Sequence, residues 1–186
     1  MDTKNALLDC AEEALRSRGY DGFSYADLAG EVGIRKASIH HHFPKKADLA
    51  LALIERYAAN FFQALDDIMV ERETGSEQLQ AYVELCRDAL DGGNKLCLCV
   101  AFCVGRDGLN ASVLDQLDAF HMTVARWLSD AFAAGKSDGT ITLVSEVDAE
   151  AYACLAQMEG AQLMARAAKD MGRFDSAVSG LLCRLA

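Results

Sequence analysis

The residues best suited to chemistry lie between Arg35 and Lys46. Four cations, Arg35, Lys36, Lys45 and Lys46, are joined there by His40, His41 and His42, with no acid among them. Cations at this density suit a polyanion, since each Lys or Arg set on a phosphate releases condensed counterions. A strip facing only water is the other meaning of the same residues. The three histidines invite a metal, but neighbouring side chains on a helix point about 100° apart and cannot converge on one ion. No metal is expected there.

The second group is sulfur. Cys97, Cys99 and Cys103 crowd into the stretch from Lys95 to Cys103. On a helix Cys99 and Cys103 share a face while Cys97 points about 200° from Cys99, so the three do not form a zinc site. Two readings stand. The thiols are small buried hydrophobes, or Cys97 senses oxidants or electrophiles, its pKa lowered by the first turn of a helix and by Lys95. A third group, Tyr82, Cys86, Phe102, Phe120, His121, Met122, Trp127, Tyr152, Gln157 and Met158, mixes aromatic walls, soft sulfur and a few polar heads. That mix suits a mostly apolar small ligand.

Helices must position these residues. Leu7, Leu8, Ala11, Ala14 and Leu15 recur at helical spacing and predict a first helix over about 3–18, closed by Gly19. Ser24 followed by Asp27 reads as a capping box opening a short second helix that stops at Gly33. A third helix runs from Arg35 to about His42, before Pro44. A long fourth helix keeps one apolar face from Leu49 to Ile68 and ends near Thr74-Gly75. Further helices are expected at about 76–91, 96–104, 112–134, 145–169 and 174–185, with Gly135 as a break and Ser145 with Asp148 as a cap. The fold class is all-α. A helix-turn-helix domain over 1–48 leads by the long helix into a helical ligand-binding and dimerisation domain over 49–186. The small residues Ala149, Ala153, Ala156 and Gly160, with Leu163 and Met164, then Phe174, Ala177, Val178, Leu181 and Leu185, predict a two-fold four-helix interface between two copies.

Two short helices joined by a glycine turn present the second across a DNA groove. The run from Gly33 through Arg35-Lys36-Ala37-Ser38-Ile39-His40-His41-His42-Phe43-Pro44-Lys45-Lys46 to Leu49 resembles the signature of TetR/AcrR-type transcriptional regulators over about residues 3–60. The resemblance implies a homodimer whose N-terminal helices bind operator DNA and whose C-terminal helices bind an inducer. It implies that Arg35, Lys36 and Ser38 reach base edges or flanking phosphates and that Lys46 binds a phosphate. His40 stands where the family usually has a tyrosine, which would make DNA affinity depend on pH. Lys45 replaces a serine cap and Ala37 a glycine. Ser24, Tyr25 and His41 complete the candidate DNA-facing set.

Composition narrows the rest. The chain has 186 residues, 52% hydrophobic and 25% charged, with one proline. The net charge of −10 hides an uneven spread: eight basic and nine acidic residues in 1–60, ten and nineteen beyond. An acidic body confines polyanion contact to the one basic strip. Seven cysteines, an odd number, suit a reducing cytoplasm and not a disulfide scaffold. Neither a membrane span nor a secretion signal at Met1–Leu8 is expected. A redox CxxC pair, a phosphate-cradling glycine loop and HExxH are all missing, so neither an enzyme nor a cofactor is expected, and a thiol redox enzyme is the weaker rival.

Overall fold

The computed structural model describes residues 3–185, so Met1, Asp2 and Ala186 lie outside the described residues, and with the first two lies part of the stretch read for a secretion signal. Its helices are α1 (Thr3–Arg18), α2 (Tyr25–Val32), α3 (Lys36–His42), α4 (Lys46–Glu71), α5 (Gly75–Asp88), α6 (Leu98–Val104), α7 (Ala111–Asp138), α8 (Val147–Ala168) and α9 (Met171–Leu182). Short 3₁₀ turns lie at Tyr20–Gly22, Asp91–Gly93 and Arg106–Gly108. Among the described residues, sheet-type pairing is confined to one bridge between Ile141 and Leu185. No helix among them is long and apolar enough to cross a membrane.

Two compact units emerge, and they do not divide at residue 48. The first takes the chain up to Ala59 together with Leu98–Ala119; the second takes Asn60–Cys97 and the chain from Phe120 onward. The first unit includes α6 because α6 packs on α1, with the Phe102 and Tyr20 rings 5.5 Å apart. Its core is Leu7, Ala11 and Leu15 of α1, Leu28 of α2, Ile39 of α3, and Leu49, Leu53 and Ile54 of α4, all buried. The stripe that predicted α1 is thus its buried face, in a helix that packs on α2 and α6.

In the second unit α8 and α9 pack along each other, and α5 meets both. Phe174, Val178 and Leu181, expected at an interface between copies, are buried within this unit instead. Gly135 does not break α7, which continues to Asp138. A Cβ at Gly135 would lie 2.1 Å from Ile141 Cδ1, and one at Gly75 would lie 2.2 Å from the Gly135 nitrogen. These glycines serve close approach between α5, α7 and the segment after α7.

The cap expected from Ser145 and Asp148 does not form: Glu146 is the N-cap, and Asp148 accepts from Ser129 Oγ at 2.9 Å. Buried Glu150 does the work instead. It accepts from the N–H groups of Val144 and Ser145 at 2.7 and 3.0 Å and pairs with Arg184 at 2.9 Å. Burial pushes its carboxyl up, but the Val144 N–H, the Arg184 guanidinium and the Ser145 N–H outweigh burial and hold it below the usual range. A depressed carboxylate stabilises the fold above its unfolded pKa and loses that contribution as pH falls through the folded value. Glu150→Gln should therefore flatten the acid limb of stability against pH below about 4.3, read by urea unfolding at stepped pH. Gly75→Ala should cost about 1–3 kcal/mol by overpacking. Gly30→Ala, in α2 with nothing within 4 Å of its Cβ, should instead gain up to about 1 kcal/mol, both read by urea unfolding at neutral pH.

Candidate nucleic-acid interface

A helix of seven residues does not hold its own shape in water, so α3 is only as well placed as its braces. Ser24 caps α2 with the expected box: Asp27 accepts from the Ser24 N–H at 2.7 Å, and Ser24 Oγ accepts from the Asp27 N–H at 3.4 Å. At the other end Gly33 turns left-handed (φ 75°), and its N–H and that of Ile34 both bond Ala29 O at 3.0 Å. Arg35 follows in extended conformation as the N-cap of α3, so the helix begins one residue later than the spacing suggested. Ile39 and Phe43 pin α3 from below, both buried. Asp48 accepts from the Lys45 N–H at 2.8 Å, supplying from inside α4 the cap that Lys45 cannot give.

The face left outward carries the charge. Arg35, Lys36, His40, His41 and Lys45 are exposed and Ser38 is half-buried. Among the described residues Arg35, Lys36 and Lys45 have no acidic partner within salt-bridge distance, whereas Arg18 pairs with Glu31 at 3.3 Å and Arg56 with Asp9 and Glu12 at 2.6 and 2.8 Å. Arg16, Arg18 and Arg56 of the same unit are paired with acids, and this strip is left open. Ser24 is exposed at the α2 start, its hydroxyl donating to Asp27 at 2.8 Å.

Two expected contacts are turned inward. Tyr25 is 7% exposed, and its hydroxyl donates to Phe43 O at 2.9 Å, tying the start of α2 to the end of α3. Burial, with Asp48 nearby, pushes its phenol up to about 12. Lys46 Nζ donates to the carbonyls of Tyr20 and Phe23 at 2.5 and 2.6 Å and so is not presented to a phosphate. His40 Nδ1 lies 3.2 Å from Pro44 O, an acceptor, so Nδ1 carries the proton. In the neutral ring Nε2 is then an acceptor, and only the protonated ring offers DNA an N–H there.

The candidate ligand residues do not converge on one open site. Phe102 belongs to the first unit, and Tyr152 is exposed, donating to Met122 Sδ at 3.5 Å. Tyr82, Cys86, Phe120 and Trp127 are packed core: the Tyr82 and Trp127 rings lie 5.6 Å apart, Trp127 Nε1 donates to Leu65 O at 3.2 Å, and Phe120 lies 5.4 Å from both Phe61 and Phe62. His121 pairs with Glu159 at 2.9 Å, and Gln157 donates to Ala177 O at 2.6 Å.

The cysteines regroup as well. Cys97 precedes α6 rather than starting it, its N–H donates to Gln162 Oε1 at 2.9 Å, and Lys95 pairs with Asp91 at 3.3 Å. Cys99 is buried and Cys103 exposed. The thiols within electrostatic reach of buried Tyr82 are Cys86, Cys97 and Cys154. Burial raises the Cys86 thiol and pushes Cys154 up to about 12. Spacing along the chain could not reveal this grouping, because the three lie on or beside different helices.

A braced recognition helix with an open cationic face defines a helix-turn-helix DNA-binding protein. A profile of the bacterial regulatory proteins of the TetR family matches residues 7–53. A TetR-family transcriptional regulator from Agrobacterium tumefaciens, solved by crystallography, is 30% identical, with 99% of this chain and 97% of that one covered and a TM-score of 0.94. The transcriptional repressor NemR of Escherichia coli K12 is 24% identical over 184 residues, 96% of this chain and 91% of its own. The crystal structure of its reduced form shares the fold, at 23% identity and a TM-score of 0.87. The chain belongs to the TetR family and is a ligand-responsive, DNA-binding transcriptional regulator.

His40→Tyr, which puts a hydroxyl donor on the DNA face, should strengthen DNA binding several-fold when binding is followed by fluorescence anisotropy at fixed salt.

Proposed function

We propose that the chain represses transcription as a homodimer that grips a palindromic operator and releases it when a small molecule binds. Arg35, Lys36, Ser38, His40 and His41 meet base edges and flanking phosphates in the major groove, with Ser24 at the groove wall and Lys45 on the backbone. The observation that carries this reading is the exposed strip of Arg35, Lys36 and Lys45, left without acidic partners in a unit that pairs Arg16, Arg18 and Arg56. The sign of regulation is supported by the likeness to NemR, a repressor. Two copies would set their recognition helices about 34 Å apart.

Support for the dimer comes from α8, whose Ala149, Tyr152, Ala153, Ala156, Gly160, Leu163 and Met164 form an exposed small and apolar stripe. The inducer binds the second unit in a conformation that opens the packed core of Tyr82, Cys86, Phe120 and Trp127. Its preference for the conformation that fits no operator sets the response. The regulator works in the cytoplasm, where its operator lies.

A second reading makes the signal covalent at Cys97. It is supported by the gathering of Cys86, Cys97 and Cys154 near Tyr82, and opposed by burial, which disfavours the thiolate at two of the three.

The test uses a fluorescent duplex selected by the protein from a random-sequence pool. Affinity should fall steeply with salt, and Lys36→Ala should reduce the log–log slope by about 1. Affinity indifferent to salt and to Lys36→Ala with Lys45→Ala would remove the reading. Release by a thiol-reactive electrophile in the wild type but not in Cys97→Ser would favour the covalent signal.

A further inference from the structure

We propose that Lys46 is a positioning residue for operator binding, a caged ammonium that fixes where α3 stands and touches no phosphate. An ammonium has three N–H donors. Two are spent on Tyr20 O and Phe23 O, both in the link between α1 and α2. The faces of the Tyr20 and Phe23 rings close on the same nitrogen, with centroids at 4.5 and 4.3 Å. Asp21 and Asp27 lie within electrostatic reach and favour the charge that burial disfavours. A compact, strongly hydrated cation gives up water only where carbonyls and ring faces replace it.

The consequence for DNA follows from chain order. Lys46 opens α4 immediately after the Phe43-Pro44-Lys45 link that ends α3. From α2, the Tyr25 hydroxyl holds Phe43 O; from α4, Lys46 holds the link that precedes α2. These two ties fix both elements flanking α3, and with them the angle at which Arg35 and Lys36 leave the surface. Tyr20 also packs on Phe102, so the cage is anchored on α6 within the same unit.

The proposal rests on the operator-binding reading, and two measurements separate the two. On the selected duplex, Lys46→Met should weaken binding tenfold or more while leaving the salt slope at its wild-type value. Lys45→Ala should reduce the slope by about 1. A slope reduced in Lys46→Met as in Lys45→Ala, or an unchanged affinity, would overturn the positioning role. An unchanged slope in Lys45→Ala would instead count against the operator reading.

The second measurement is acylation of wild-type amines by an N-hydroxysuccinimide ester, followed by mass spectrometry, and needs no variant to fold. Lys46 should react at least tenfold more slowly than Lys45 in the absence of DNA and be unchanged by adding the duplex. Reaction at the rate of Lys45, with shielding only on DNA, would overturn the cage.

Discussion

Everything about the DNA face depends on holding a seven-residue helix that cannot hold itself. Buried Ile39 and Phe43 supply the apolar anchor, and the Tyr25 hydroxyl on Phe43 O supplies direction. A buried hydroxyl left without that acceptor would cost about 1–3 kcal/mol, a large part of a domain's stability margin. The same side chains that fix α3 are therefore the ones unavailable to DNA. The proposed reading leaves recognition to residues the core does not need: Arg35, Lys36, Ser38, His40, His41 and Lys45.

That division explains what could be read in the sequence. Periodicity in α1 and the Ser24–Asp27 box are local signals, and both reappear in the structure, the box with both of its hydrogen bonds. The basic strip was legible because charge clustering needs no tertiary knowledge. Tyr25 and Lys46 were misplaced for one reason. Amphipathic side chains can point their polar ends inward when a carbonyl awaits them, and nothing local says that Tyr20 O, Phe23 O or Phe43 O is waiting. Lys46 carries a full charge, yet its destination lies more than twenty residues back along the chain.

The second unit was less legible for related reasons. Gly135 looks like punctuation in one dimension but is a contact surface in three, cut away so that Ile141 and α5 can approach. The Ser145–Asp148 pattern matched a cap, but a carboxylate further along, Glu150, took the same N–H groups and added Arg184. Aromatic and sulfur residues chosen as a ligand wall turned out to be mostly core, since burial and ligand binding select the same side chains. Cys86 and Cys154 joined Cys97 only through the folding of distant helices against one another.

The central claim is that the outward face of α3 reads the major groove. Protection of guanine N7 from dimethyl sulfate on the selected duplex tests it most directly, because N7 lies in that groove alone. The account predicts protected guanines in two half-sites about one helical turn apart, with protection lost in Arg35→Ala combined with Lys36→Ala while the protein remains folded. Full N7 reactivity throughout the bound site would contradict it.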